Sequence, residues 1–156
     1  PLSPSWKFIA AKVVSFKDQI MTVNQGSDIG IKQGEIVVFE NVLIGRIIKV
    51  NPCLSKIELV TNKNNNIKAR IMEINCKGVV KSGTNNVLVL DEVLQEFSLS
   101  KNQIIVTSGE DEIYPPDLLI GKIDSIEKNE TAIYQKVILK PFLNYQTLDT
   151  VFVVKI

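Results

Sequence analysis

The sequence predicts an all-β fold with little or no helix, and three observations predict it. Apolar, β-branched residues come in short runs. Gly, Asn and Pro separate these runs at regular intervals. Several runs alternate polar and apolar residues. Many short strands at this spacing belong to a barrel or a sandwich.

The elements follow in chain order. The first candidate strands are Lys12–Ser15, Gln19–Asn24, Ile36–Phe39, Leu43–Val50, Lys56–Thr61 and Ile67–Met72. Gly78–Lys81, Val87–Leu90, Gln103–Thr107, Leu119–Ile126, Ala132–Leu139 and Thr150–Lys155 continue the series. Lys56-Ile57-Glu58-Leu59 and Lys68-Ala69-Arg70-Ile71 alternate, so each has one wet face and one buried face. Val87-Leu88-Val89-Leu90 and Val151-Phe152-Val153-Val154 are apolar on both faces, as strands inside a sandwich or between packed barrels are. Asn51-Pro52, Asn64-Asn65-Asn66, Thr84-Asn85-Asn86 and Lys128-Asn129 carry turn chemistry, because Asn tolerates positive φ. One short segment has helical potential: Asp91 is placed to cap a turn in which Val93, Leu94 and Phe97 share a face. Residues 1–9, with Pro1, Ser3 and Pro4, read as a flexible lead-in whose Trp6 and Phe8 are available to pack on a barrel.

The chain also echoes itself. Gln33-Gly34-Glu35-Ile36-Val37-Val38 precedes Leu43-Ile44-Gly45-Arg46-Ile47-Ile48, and Lys101-Asn102-Gln103-Ile104-Ile105-Val106 precedes Leu119-Ile120-Gly121-Lys122-Ile123. Two related halves fit two small barrels. Gly45 and Gly121 each interrupt an apolar strand, where a missing Cβ suits a tight bend or a close backbone approach.

Composition narrows the function. The 156 residues suffice for one medium domain or two small barrels. The formal net charge is +1, with acids and lysines interleaved, so nothing in the balance calls for nucleic acid or an anionic membrane. Histidine is absent, which removes imidazole-based acid–base chemistry and most zinc sites. Cys53 and Cys76 match no metal spacing and read as free buried thiols. No apolar run is long enough to cross a membrane as a helix, and no signal peptide is visible. The opening at Pro1 reads as a cut from a longer protein.

The candidate motifs are structural in their chemistry. In Gly26-Ser27-Asp28-Ile29-Gly30-Ile31-Lys32-Gln33-Gly34 the next element is a strand, so no helix N-terminus waits for a phosphate and a wide turn is expected. Ser108, beside Gly109, lacks a base to activate it. Glu110-Asp111-Glu112 lacks the alternating spacing of a calcium loop. The reading is a protein without catalytic residues, cofactor or metal. A chain of this kind acts through surface patches anchored by a few apolar side chains. Ile113-Tyr114, ahead of the stiffening Pro115-Pro116, and Phe142, Leu143 and Tyr145, after Pro141, are the candidate anchors.

The chain resembles the extracytoplasmic β domain of the rod-shape-determining MreC family. The resemblance rests on Val23–Gly34 followed by Val37-Val38, then Leu43–Val50, then Ile67–Ile71 with Gly78-Val79. Its most specific part is Val106-Thr107-Ser108-Gly109, a short spacer, Tyr114-Pro115-Pro116 and Leu119-Ile120-Gly121-Lys122-Ile123. Asp117 departs from the pattern, standing where the family often has Gly. The resemblance implies two small β-barrels packed together, a double β-barrel. It divides the chain into a lead-in from an upstream coiled coil (1–9), a first barrel (10–76) and a second (77–156), with the last strand free to return to the first. It implies a periplasmic scaffold of the cell-elongation machinery that maintains rod shape, attached to the membrane only by an upstream helix outside this sequence. The implied partners are a penicillin-binding protein transpeptidase, other elongation-complex membrane proteins and further copies of itself, with no nucleic acid. The rival readings are an OB-like nucleic-acid-binding barrel and a degenerate protease-like double barrel. Aromatics at 6% and the near-zero charge weigh against the first, and the missing histidine against the second.

Overall fold

The computed structural model describes residues 4–129 and 131–156, so the first three residues of the expected lead-in lie outside it. The chain forms two compact units. One consists of the chain up to Asn62 together with Leu143–Ile156, and the other of Lys63–Phe142. Among the described residues all regular structure is β apart from three one-turn 3-10 segments at Ser27–Ile29, Thr84–Asn86 and Tyr145–Thr147.

The first unit contains β1 (Lys7–Lys17), β2 (Ile20–Val23), β3 (Ile36–Phe39), β4 (Val42–Val50), β5 (Ser55–Leu59) and β12 (Thr150–Lys155). They pair antiparallel in the ring β1-β2-β5-β4-β3-β12 and back to β1, which closes a six-stranded barrel. Alternation builds its interior. Ser55, Ile57 and Leu59 turn inward from β5 while Lys56 and Glu58 turn outward. Met21, Val37, Ile47, Val151 and Val153 are buried from the neighbouring strands. Each such aliphatic side chain contributes about 1.5–3 kcal/mol. Lys155 holds β12 at its end, donating to the Gly30 carbonyl (2.7 Å) and to Glu35 Oε2 (2.5 Å).

The second unit contains β6 (Asn66–Ile71), β7 (Cys76–Ser82), β8 (Leu88–Leu94), β9 (Ile104–Thr107), β10 (Leu119–Glu127) and β11 (Tyr134–Pro141). Its ring runs β6-β7-β8-β11-β10-β9 and back to β6, again antiparallel throughout. Ile67, Ile71, Val80, Leu90, Ile105 and Val137 are buried.

The internal echo is structural. Gly45 pairs with Leu59 and Ile47 with Ile57, and the register then shifts before Lys49. Gly121 pairs with Pro141 and Ile123 with Leu139, and the register then shifts before Ser125. Ile47 donates its amide to Glu35 and accepts from Gly34 (both 2.8 Å). Ile123 does the same with Gln103 (2.9 Å) and Asn102 (2.8 Å). Both turn residues adopt positive φ, 92° at Gly34 and 72° at Asn102. A Cβ on Gly45 would collide with the Glu58 carbonyl, and one on Gly121 would sit 2.8 Å from the Lys140 carbonyl. Two neighbouring strands therefore approach closely at the same place in each ring.

Three expectations are corrected. The Asp91 segment is strand, not a helical turn. Leu90 and Val93 pair with Val137 and Gln135, and the intervening residues bulge, with Glu92 at φ 60° and its amide on Asp91 Oδ1 (2.8 Å). Pairing with β11 overrides a weak local cap. The lead-in also ends early, because Lys7, Phe8 and Ile9 already pair with Lys155, Val154 and Val153. The change of unit falls between Asn62 and Lys63 rather than at 76/77, since β6 pairs with β7 and β9.

Candidate partner-binding surfaces

The loop after β9 is built around Thr107. Its hydroxyl donates to the Pro115 carbonyl (2.6 Å) and accepts from the Leu118 amide (3.0 Å). Asp111 Oδ1 accepts from the amides of Ile113 (3.2 Å) and Tyr114 (3.4 Å), shaping the tip. Arg70 on β6 donates to Asp117 Oδ1 (2.6 Å), and Lys77 on β7 pairs with Glu110. The Lys77 hydrogen bond holds the Glu110 carboxyl below its ordinary pKa. Gly109, at φ 80°, lies against Pro116, where a Cβ would come within 3.1 Å of the ring. Asp117 adopts φ 69°, the left-handed conformation for which Gly is the usual residue. Pro115 is half-buried and Pro116 exposed.

This scaffold separates the two expected anchors. Ile113 is 45% exposed, whereas Tyr114 is 4% exposed and its hydroxyl donates to Asn65 Oδ1 (3.4 Å). Tyr114 is therefore a bolt holding the loop, not a contact offered to a partner. The second stretch behaves alike. Asn144 Oδ1 accepts from the Gln146 amide (3.1 Å), setting the turn, and Tyr145 points inward at 6% exposure. Among the described residues nothing bonds its buried hydroxyl, and burial raises its phenol above the ordinary pKa near 10. Phe142 and Leu143 are half-buried. Gly26 sits where a Cβ would strike the Asn51 carbonyl, while the amides of Ser27 and Asp28 bond the Asn51 and Pro52 carbonyls (both 3.0 Å). Gly30 ends the single turn that follows, at φ 93°. These residues shape a wide structural turn.

Other exposed apolar side chains lie outside the expected anchors. On the first barrel Phe8 is 41% exposed and lines a shallow apolar groove with Val38, Glu40 and Phe152. On the second, Leu94 and Tyr134 form an exposed cross-strand pair beside Ile133, which is 73% exposed. Strand parity carried the signal: Phe152 lies between inward-facing Val151 and Val153.

The titratable groups offer little chemistry. Among the described residues no three His, Cys, Asp or Glu side chains converge, and no helix is long and apolar enough to cross a membrane. Cys53 is exposed, contrary to the expected buried thiol, because its turn carries it outward beside Asp28. Cys76 is buried, and desolvation, with Glu96 adding to it, raises its thiol pKa.

Comparison with known proteins assigns these barrels. A family model described as the barrel core of rod shape-determining protein MreC matches residues 9–155. The cell shape-determining protein MreC of Listeria monocytogenes is 26% identical over 160 residues, covering 99% of this chain and 53% of that protein. Its Haemophilus influenzae counterpart is 27% identical over 135 residues, covering 85% of this chain and 38% of that protein. The chain thus spans about half, or less, of the curated relatives it matches. The solved Listeria MreC structure superposes with TM-score 0.87 at 24% identity, over 97% of this chain and 76% of that one. The major periplasmic domain from the cell shape-determining filament MreC gives 0.78 at 18%, over 99% and 98%. MreC in its complex with Penicillin-Binding Protein (PBP2) from Helicobacter pylori gives 0.74 at 20%, over 97% and 98%. At these identities the likeness establishes the fold.

Proposed function

The chain belongs to the MreC family of rod shape-determining proteins, and from that premise we propose that it is a non-enzymatic scaffold of the cell-elongation machinery. It works outside the cytoplasmic membrane, anchored by an upstream helix. There it positions a penicillin-binding transpeptidase and associates with further copies of itself and with other membrane proteins of the complex. The observation that carries the reading is a family match spanning both barrels. The Helicobacter pylori relative in complex with a penicillin-binding protein supports the transpeptidase as partner. A related domain described as part of a filament supports self-association. Both barrels are closed, so their strands are largely spent on each other, and partner contacts fall to outward side chains such as Ile113, Phe142 and Leu143.

The test is a pull-down of the cognate transpeptidase with this domain, together with depletion of the protein in its host. Depleted cells are expected to lose rod shape, and the parent domain is expected to retain the transpeptidase. Ile113→Asp, at an exposed position, is expected to fold normally and to retain less of it. Cells that stay rod-shaped on depletion, or a parent domain that never retains the transpeptidase, would overturn the scaffold reading.

A further inference from the structure

In the first barrel, part of one edge of β1 is left unused by its neighbour in the ring. Strand β1 pairs with β12 from Lys7 to Lys12 but with β2 only from Val13 onward. The hydrogen-bond parity of the earlier part is fixed by two observations. The Val13 amide donates to the Asp149 carbonyl (2.8 Å), so Val13 faces β12, and with it Ala11, Ile9 and Lys7. Lys12 faces the other way: its amide donates to Asn24 Oδ1 and its carbonyl accepts from the Asn24 amide (both 2.9 Å). Ala10 and Phe8 share the parity of Lys12, and beyond Asn24 no described residue bonds their main chain on that side. Both residues are exposed. The second barrel spends its equivalent strand more fully, since β7 starts at Cys76 and meets β8 from Val79.

We propose that this edge is a self-association site, at which β1 of one copy adds antiparallel to β1 of a second copy about a twofold axis at Ile9. The occupant is a strand because the free groups alternate at strand spacing and nothing but an extended main chain matches them. It is a second copy because the edge complements itself. With Ile9 opposite Ile9, Phe8 of one copy faces Ala10 of the other, large against small on one face, and four main-chain hydrogen bonds form between them. Lys7 then faces Ala11, so no lysine opposes a lysine. The joined sheet continues the apolar strip of Phe8, Phe152 and Val38. Lys7 and Lys12 flank the edge, and Asn24 occupies Lys12, so slipped registers and longer stacks are disfavoured. The proposal rests on the self-association reading and adds its contact.

The experiment is sedimentation of the full chain across concentrations, compared with Ala10→Pro. Proline at residue 10 removes an N–H that points away from β12, so the ring survives. The parent is expected to dimerise and the variant to do so about tenfold more weakly or worse, having lost two bonds per dimer. Amide exchange of Phe8 and Ala10 in the parent is expected to slow as the dimer fills, a readout that holds even if the variant misfolds. A parent that dimerises while Ala10→Pro does so equally, or while those amides exchange freely, overturns the β1 contact and leaves self-association standing. A parent monomeric at every concentration overturns both, and loss of transpeptidase binding in Ala10→Pro would then mark the edge as a site for a different strand.

Discussion

The two barrels solve one topological problem with different chain layouts. Each closes six antiparallel strands, and each carries a glycine and a register shift at the same place in the ring. Matched in this way, β7 to β11 correspond to β1 to β5, and β6 corresponds to β12. The second barrel takes its sixth strand from just before the other five, whereas the first takes it from the far end of the chain. Pairing and inward-facing side chains therefore decide the ring, and chain continuity does not. The interrupted barrel also leaves the longer stretch of edge on the matched strand, β1 before Val13 against β7 before Val79.

The largest expected effect comes from separating the barrels. Lys63–Phe142 alone should melt cooperatively, because its ring closes from its own strands. The chain up to Asn62 alone should not, and should regain a cooperative transition when Leu143–Ile156 is fused back through a flexible linker. Losing β12 forfeits Val151, Val153 and Val154, at about 1.5–3 kcal/mol each. That sum rivals the total stability of a small domain, about 5–15 kcal/mol. If the isolated first segment melts as sharply as the second, β12 is not what closes the first barrel.

A smaller effect sharpens the equivalence of the glycines. Gly45→Val drives a side chain into the Glu58 carbonyl and should cost about 3 kcal/mol or more, whereas Gly121→Val should cost about 1–3 kcal/mol. Chemical denaturation of both variants measures the order, and a reversed order would mean that the second barrel packs more rigidly at its bend.

The smallest effect separates the buried tyrosines. Tyr114→Phe breaks a bond to Asn65 and should cost about 0.5–1.5 kcal/mol, whereas Tyr145→Phe removes an unbonded hydroxyl and should be neutral or stabilising. Tyr145 has a phenol pKa raised in the folded state, so its contribution is complete below the unfolded value near 10 and is lost as pH climbs above it. Melting followed from neutral to strongly alkaline pH should therefore fall less steeply for Tyr145→Phe than for the parent. Equal alkaline slopes would show that the hydroxyl is wet.

Much of this architecture was legible in the residues. Ile36–Phe39 and Thr150–Lys155 are strands over the expected spans, since β-branched runs bounded by turn residues admit little else. The Gly45 and Gly121 echo exposed the duplication because the close approach leaves a mark at one residue. What stayed hidden depended on distant partners. Asp91 looked like a cap until β11 supplied a strand to pair with. Tyr114 looked like an anchor because a loop has no period from which to read inward from outward. The free edge at Phe8 and Ala10 is set by how far β2 reaches, which nothing in β1 encodes.

The late position of β12 also orders events in time. Synthesis delivers β1 to β5 first and β12 last, with the whole second barrel in between. At about 5–20 residues per second, the nascent first barrel waits several seconds with β1 and β3 unpaired along the seam that β12 will fill, while the second can already close. Any holding factor that guards the growing polypeptide has this seam to protect. A message cut short anywhere before Thr150 yields a product whose first barrel cannot shut, so pairing of β12 certifies that the intervening second barrel has already been made.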